Sequence, residues 1–327
     1  MDLFEKFNEI NKLKAKYNND IVVVYNRYNN MIQTAIRNLL GSRNATIRMY
    51  INQYNRDILV LREKYNSDVV KINALPLPPI SGLKKKALLI GINYPGSPYP
   101  LSGCMNDISS IEKIIVEKLS FQSVVKLHDS STILPTKVNI ISQLTSLLYN
   151  SKAGDILFFH YSGHGSQIKD TNGDEADGLD EVIIPIDYFS NRSIIVDDEL
   201  KSIIQTNLKE GVKLFVLMDC CHSGTIFDLK YNYDANWNSV INTNSEDTRG
   251  DIIVISGCSD PQTTYDTQIN NLYQGTTTWT FTQCLKPNIT WKQLIVDMRN
   301  MLVGTGLSIQ VPQISTGRSF DINAVVI

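Results

Sequence analysis

Two short segments hold residues of the kind that perform acyl transfer: Tyr161-Ser162-Gly163-His164-Gly165-Ser166 and Asp219-Cys220-Cys221-His222-Ser223-Gly224. The thiolate is the reactive form of a cysteine, and a nearby imidazole raises its population. Each segment follows an apolar run, residues 156–159 in the first case and 214–218 in the second. Runs of that length, rich in branched and aromatic residues, read as buried strands. The sequence therefore sets a His and a Cys at the ends of two core strands, in loops softened by small residues. His164 lies between two glycines, which suits exposure and close substrate approach. Spacing alone does not choose between Cys220 and Cys221, which point to opposite sides if the strand continues.

Two other chemistries fit less well. His160, His164, Cys220, Cys221 and His222 could be read as a zinc cluster, but no C-x-x-C spacing accompanies them. A Cys-dependent phosphatase would need an Arg soon after the Cys, and none follows. The five cysteines (Cys104, Cys220, Cys221, Cys258, Cys284) are odd in number and irregularly spaced. That argues against a disulfide framework and for a reducing, cytoplasmic setting. Cys258 and Cys284 suit buried structural roles.

The 327 residues are 43% hydrophobic and 20% charged, with formal charge −2. Such a chain can bury a sizeable core and shows no bulk signature of nucleic-acid or membrane binding. No apolar run approaches the roughly 18 residues of a membrane-spanning helix, and Met1 opens no secretory signal. Charge is uneven: residues 1–75 carry 12 Lys/Arg against 7 Asp/Glu, the remainder 19 against 26.

Residues 1–75 repeat apolar positions at helical spacing, with a break at Gly41-Ser42-Arg43-Asn44. They read as two long helices in an antiparallel hairpin, with a further break near Asn18-Asn19-Asp20. The hairpin suits either a surface-covering appendage or a regulatory, partner-binding or self-associating element. The Pro-rich stretch 76–83 reads as a linker. From 84 to 327, strands (87–92, 124–128, 155–161, 181–186, 213–219, 251–257) alternate with helices (106–119, 135–149, 197–206, 276–285, 290–302). This implies an α/β fold, a mostly parallel sheet with helices on both faces. Active sites in such folds lie at the carboxyl ends of strands, where His164 and Cys221 fall. Residues 230–250 are polar and aperiodic and read as a long exposed loop.

Eight segments in one order give the pattern its specificity: 87–94 (ALLIGINY), 101–107 (LSGCMND), 161–165 (YSGHG), 177–181 (DGLDE), 196–200 (VDDEL), 219–224 (DCCHSG), 256–260 (SGCSD) and 310–315 (QVPQIS). From residue 84 onward the chain resembles the metacaspases, cysteine peptidases related to caspases. It departs from that pattern where Cys220 stands in place of the usual Ser. Its helical N-terminus also differs from the Pro- and Gln-rich prodomains of better-known members.

The resemblance implies the following. Cys221 is the nucleophile and His164 its partner, with the N–H groups of Gly165 and Cys221 as oxyanion donors. Cys104, Asp107, Ser162 and Asp219 line an acidic pocket, which favours a substrate Lys or Arg at the cleaved position. A caspase pocket for Asp would need Arg, and residues 84–181 contain none. Asp107 on its own would also suit a helix N-terminal cap. Ca²⁺ is the implied cofactor, held by Asp180, Asp197, Asp198 and Asp228. The acidic run 170–181 is not an EF-hand, since its sixth position is Glu where the turn demands Gly. The family's habit of cutting itself after the catalytic Cys points to Lys230 and Arg249, and to Lys86 for removal of the hairpin. Large and small portions would then be 84–229 and 251–327. The expected activity is a calcium-activated endopeptidase made as a zymogen. The alternatives are a catalytically silent scaffold and an Asp-specific caspase.

Overall fold

Residues 1–73 contain no proline and only Gly41, so the sequence on either side of that glycine is free to stay helical. In the computed structural model the described residues are 3–37, 43–74, 84–170, 173, 178–220, 226–233, 237, 239–242, 245–257, 267–269, 272–305 and 311–326. The chain divides into two compact units, Met1–Ser81 and Gly82–Ile327.

The first unit is a pair of helices, α1 (Leu3–Arg37) and α2 (Arg43–Ala74). The expected break near residues 18–20 is absent, because asparagines weaken a helix too little to interrupt one held by packing. Tyr17 stacks on Tyr65, with ring centroids 5.0 Å apart, and Tyr28 meets Tyr54 edge-on. The Tyr28 hydroxyl donates to Asp57 Oδ2 at 2.7 Å. Low numbers on α1 face high numbers on α2, so the helices run antiparallel. Residues 13–22 (LKAKYNNDIV) and 61–70 (LREKYNSDVV) match at six of ten positions, and their two tyrosines form the stack. The hairpin thus carries a local two-fold. Tyr28 is buried, while Val22, Val23, Val60 and Val70 stay exposed.

The second unit is built on strands β1 (Lys85–Gly91), β2 (Ser123–His128) and β3 (Ile156–Ser162), with helices α3 (Cys104–Glu117) and α4 (Lys137–Tyr149) between them. A small antiparallel sheet follows, made of β4 (Gly165–Lys169), β5 (Leu179–Ile183) and β6 (Ile195–Val196). Between β5 and β6 lies α5 (Tyr188–Asn191), and α6 (Asp197–Asn207) comes next. Then come β7 (Lys213–Asp219), β8 (Tyr231–Tyr233), β9 (Ser239–Ile241), β10 (Asp251–Ser256), β11 (Thr267–Ile269) and β12 (Leu272–Gln274). Helices α7 (Thr276–Cys284) and α8 (Trp291–Gly304) and strand β13 (Gln313–Thr316) complete it.

The main sheet runs β2-β1-β3-β7-β10-β13-β8-β9. Its first five strands pair in parallel and the last three add antiparallel. This is the expected α/β architecture, a mostly parallel sheet. Side chains alternate across it. Ala87, Leu89, Phe158, Phe215 and Leu217 pack toward α3, α7 and α8 in one apolar cluster. The alternate residues Leu88, Ile90 and Phe159 are equally buried, on the face that α4 covers, with α6 packed beside α4. Chain order reverses between β1 and β3, whose following segments turn to opposite faces. A crevice at the carboxyl ends of strands forms at such a switch point. Among the described residues no helix is long and apolar enough to cross a membrane.

Two expectations need correction. The strand expected at 181–186 is β5, which belongs to the small sheet and not to the main one. Residues 230–250 are not simply an exposed loop, since β8 and β9 form a hairpin on the sheet edge and Ser245 and Thr248 are buried. Each of these strands spans only three residues, too few for an alternating pattern to stand out.

His160 sits inside β3, fully buried, with Nδ1–H donating to the Leu217 carbonyl at 2.9 Å. Burial lowers its pKa from the ordinary 6.5 to about 4. The unfolded chain binds a proton below about 6.5 that the folded chain refuses until about 4. The stability is therefore complete above pH 6.5 and is lost as pH falls toward 4, by about 3 kcal/mol. Urea unfolding from pH 7 to pH 4 should show wild type losing about that much more than His160→Asn; equal losses would contradict it.

Candidate active site

β3 ends at Ser162, and Gly163 turns the chain so that His164 stands over the switch point. The loop after β1 holds this ring on two sides. The Tyr94 ring stacks beneath it, centroids 4.6 Å apart, and the Tyr94 hydroxyl accepts from the His164 N–H at 3.0 Å. Nε2 lies 2.7 Å from the Tyr99 carbonyl oxygen. A carbonyl only accepts, so Nε2 carries the proton and Nδ1 is left as the basic nitrogen of the neutral ring. The partner of Nε2 is therefore a backbone oxygen, which leaves no mark in a sequence.

The Tyr94 hydroxyl also donates to the Ile184 carbonyl at 2.6 Å and lies 3.0 Å from the Tyr161 hydroxyl. Tyr161 in turn donates to the His164 carbonyl at 2.8 Å. Burial pushes both phenols well above their usual range, so they stay neutral donors.

β7 ends at Asp219, directly beside Ser162 in the parallel register. The chain after Asp219 thus leaves the sheet alongside the chain that leads to His164. Cys220 is buried there, 3% exposed. Cys221 lies outside the described residues, as does His222. Gly165 opens β4 one residue after His164. Cys284 is buried, which pushes its thiol up to about 11 and leaves it inert at neutral pH. Cys258 lies outside the described residues.

The structure brings the four pocket residues to the adjoining ends of β1, β3 and β7. Cys104 starts α3, its N–H donating to Asn93 Oδ1 at 3.0 Å. Asp107 lies in the first turn of α3 but does not cap it; its carboxylate accepts from Ser162 Oγ at 2.7 Å and from the Gly275 N–H at 3.0 Å. Asp219 Oδ2 accepts from the Thr278 N–H at 2.7 Å. Burial pushes the Asp219 carboxyl up, against the opposing pull of that N–H. Gly275 is required here, since a Cβ at that position would collide with the Asp219 carboxylate. Sequence reading missed Gly275 and Thr278, whose contribution is backbone N–H.

The four expected calcium ligands are partly gathered. Asp180, Asp197 and Asp228 are all at least nine-tenths buried. Asp197 heads α6 and accepts from the N–H groups of Asp198 and Glu181 at 2.8 and 2.6 Å. Burial and then the nearby Asp228 charge raise its pKa to about 8. Asp228 has φ +44°, and neither of its buried oxygens accepts a hydrogen bond from the described residues; Lys201 Nζ is 3.6 Å away. Among the described residues no three acidic, His or Cys side chains stand ready to hold a metal.

Of the expected cleavage points, Lys86 is ruled out in the folded protein. It lies inside β1, 3% exposed, with Ser123 and Leu157 as strand neighbours on either side. Lys230 pairs with Asp247 at 2.9 Å, and its carbonyl accepts from the Asn242 N–H. Arg249 is exposed.

A Cβ on Gly163 would sit 2.7 Å from Tyr161 Oη and 2.9 Å from Tyr94 Oη. Gly163→Ala should therefore displace the two tyrosines that carry His164 and lower kcat by about 10-fold or more. Peptide hydrolysis at the wild-type rate would contradict this.

The family model for the metacaspase, peptidase C14 domain matches residues 85–230. Metacaspase-2 of Trypanosoma brucei brucei is 34% identical over 268 residues, covering 75% of this chain and 76% of that protein. Metacaspase-1 of Schizosaccharomyces pombe is 30% identical over 299 residues, covering 75% and 70%. A crystal structure of a Geobacter sulfurreducens protein superposes with TM-score 0.56 at 24% identity, covering 74% of this chain and 97% of that one, a likeness of fold. With its imidazole held over the switch point and its motifs in order, the chain belongs to the metacaspases, a family of cysteine-type peptidases.

Proposed function

We propose that the protein is a calcium-activated endopeptidase that cuts after Lys or Arg, with Cys221 as nucleophile and His164 as base. The Cys221 thiol gives its proton to Nδ1 of His164, and the thiolate sulfur attacks the carbonyl carbon. The N–H groups of Gly165 and Cys221 would steady the oxyanion. Collapse expels the amine, which takes the proton from the imidazolium. The ring then accepts a proton from water, and hydroxide breaks the thioester to give the acid and the free thiol.

The observation that carries the specificity is the pair of buried carboxylates, Asp107 and Asp219, fixed by Ser162, Gly275 and Thr278. Among the described residues no salt-bridge cation neutralises Asp219, whose carboxyl burial pushes up. An entering guanidinium or ammonium would supply that charge.

The acidic cluster supports the calcium reading. Ca²⁺ would be held by Asp180, Asp197, Asp198 and Asp228, where its charge would offset the burial and the Asp228 repulsion that together raise Asp197 to about 8. Asp228 offers two buried oxygens without hydrogen bonds. Since these side chains do not already converge, binding would draw the segment around Asp228 inward, seven residues after the nucleophile. That coupling supports activation, and with it self-cutting in 230–250. Arg249 is the more accessible point, because Lys230 must first leave its hairpin.

Fluorogenic Arg, Lys and Asp peptides, each with and without Ca²⁺, test this reading. Arg and Lys peptides should be cut only with Ca²⁺, and Cys221→Ala should cut nothing. Asp219→Asn should lower kcat/KM for the Arg peptide about 10- to 100-fold, the worth of one charge-assisted hydrogen bond. Asp228→Asn should weaken Ca²⁺ binding in calorimetry. Preference for the Asp peptide, or activity indifferent to Ca²⁺, would defeat it.

A further inference from the structure

We infer that Asp129, a residue remote from the reacting bonds, is a positioning residue that keeps the His164 imidazole in its working orientation. The inference rests on His164 being the catalytic base.

Asp129 follows the last residue of β2, on the far side of β1 from His164. Its carboxylate accepts two consecutive backbone N–H groups, Asn93 to Oδ2 at 2.8 Å and Tyr94 to Oδ1 at 3.1 Å. These are the first two N–H groups beyond the sheet bond from the Ile92 N–H to the Ser162 carbonyl. Asp129 is itself held by a tight turn, in which the Ser131 N–H donates to the His128 carbonyl and Ser131 Oγ accepts from the His128 N–H.

What the carboxylate holds is strained. Tyr94 has φ +50°, the left-handed region that a residue with a Cβ rarely adopts. Two hydrogen bonds to one anion can keep it there. Everything that orients His164 from this side depends on that conformation. Tyr94 supplies the ring beneath the imidazole and the hydroxyl that accepts its backbone N–H. Five residues on, the Tyr99 carbonyl accepts from Nε2, in a loop whose return is closed by Leu101 N–H on the Asn93 carbonyl. Released from Asp129, Tyr94 would relax toward ordinary backbone geometry, and ring support and carbonyl would shift together. The pocket carboxylates would stay, since Asp107 and Asp219 are held by Ser162, Gly275 and Thr278. Asp129 therefore acts on turnover and not on substrate binding. An amide cannot replace it, because it offers one acceptor and turns a second donor against a backbone N–H.

The test uses the full-length, calcium-saturated protein and an Arg peptide, with wild type, Asp129→Asn, Asp129→Glu and His164→Ala. Two readouts are taken: kcat and KM, and the pH dependence of Cys221 alkylation by iodoacetamide, followed by peptide mass spectrometry. Asp129→Asn should lower kcat about 10- to 100-fold with KM within about two-fold. Its alkylation midpoint should rise toward that of an unassisted thiol, and Asp129→Glu, which keeps both acceptors, should recover part of both. Wild-type kcat in Asp129→Asn overturns the inference, as does a loss of thermal stability with the alkylation midpoint unmoved. If Asp129→Asn does not fold, Asp129→Ser, which lacks the second acceptor, decides: reduced kcat at unchanged KM supports it, wild-type kcat overturns it. An active His164→Ala would instead remove the assignment of the base and leave Asp129 with nothing to position.

Discussion

An imidazole works as a base at one nitrogen only when its other nitrogen has settled on being a donor. In this protein a peptide carbonyl, that of Tyr99, settles it. The requirement explains the layout around it. The oxygen must arrive from a segment other than the one carrying His164, at the same end of the sheet. A parallel pair, β1 beside β3, delivers both segments there, and the reversal of chain order between them opens the crevice. Tyr94 then fills the space under the ring and Tyr161 donates to the His164 carbonyl, both neutral because they are buried. Gly163 is the residue small enough to lie across their hydroxyls.

Acidic groups in apolar surroundings are the second theme. A carboxylate taken out of water must be hydrogen-bonded or meet a cation. Asp107 and Asp219 accept from the Gly275 and Thr278 N–H groups, which only a folded start of α7 can present. Asp197 and Asp228 press on each other, with Lys201 as the nearest offset. Asp219 has backbone N–H support but no salt-bridge cation among the described residues, and neither buried oxygen of Asp228 accepts a hydrogen bond from them.

The five parallel strands of the main sheet and seven of the eight helices were legible because long apolar runs and amphipathic spacing are strong, local signals. The family was legible because eight short motifs keep one order. What escaped the sequence was short or made of backbone. β8, β9 and β13 are three- and four-residue strands stabilised by their neighbours on the sheet edge. The Tyr99 carbonyl and the Gly275 and Thr278 N–H groups belong to no residue type. Lys86 misled because a lysine cluster before a strand looks like exposed linker, whereas its register in β1 is set by partners 37 and 71 positions away.

The committed nitrogen can be observed directly. Nitrogen-15 NMR of the four histidines in full-length Cys221→Ala, with His164 assigned by its loss in a His164→Gln companion, reports which ring nitrogen bears the proton in the neutral form. A proton on Nε2 and a bare Nδ1 is the state this structure requires. A proton on Nδ1 would mean that Tyr99 does not hold the ring, and the imidazole as oriented here could not take a proton from a thiol.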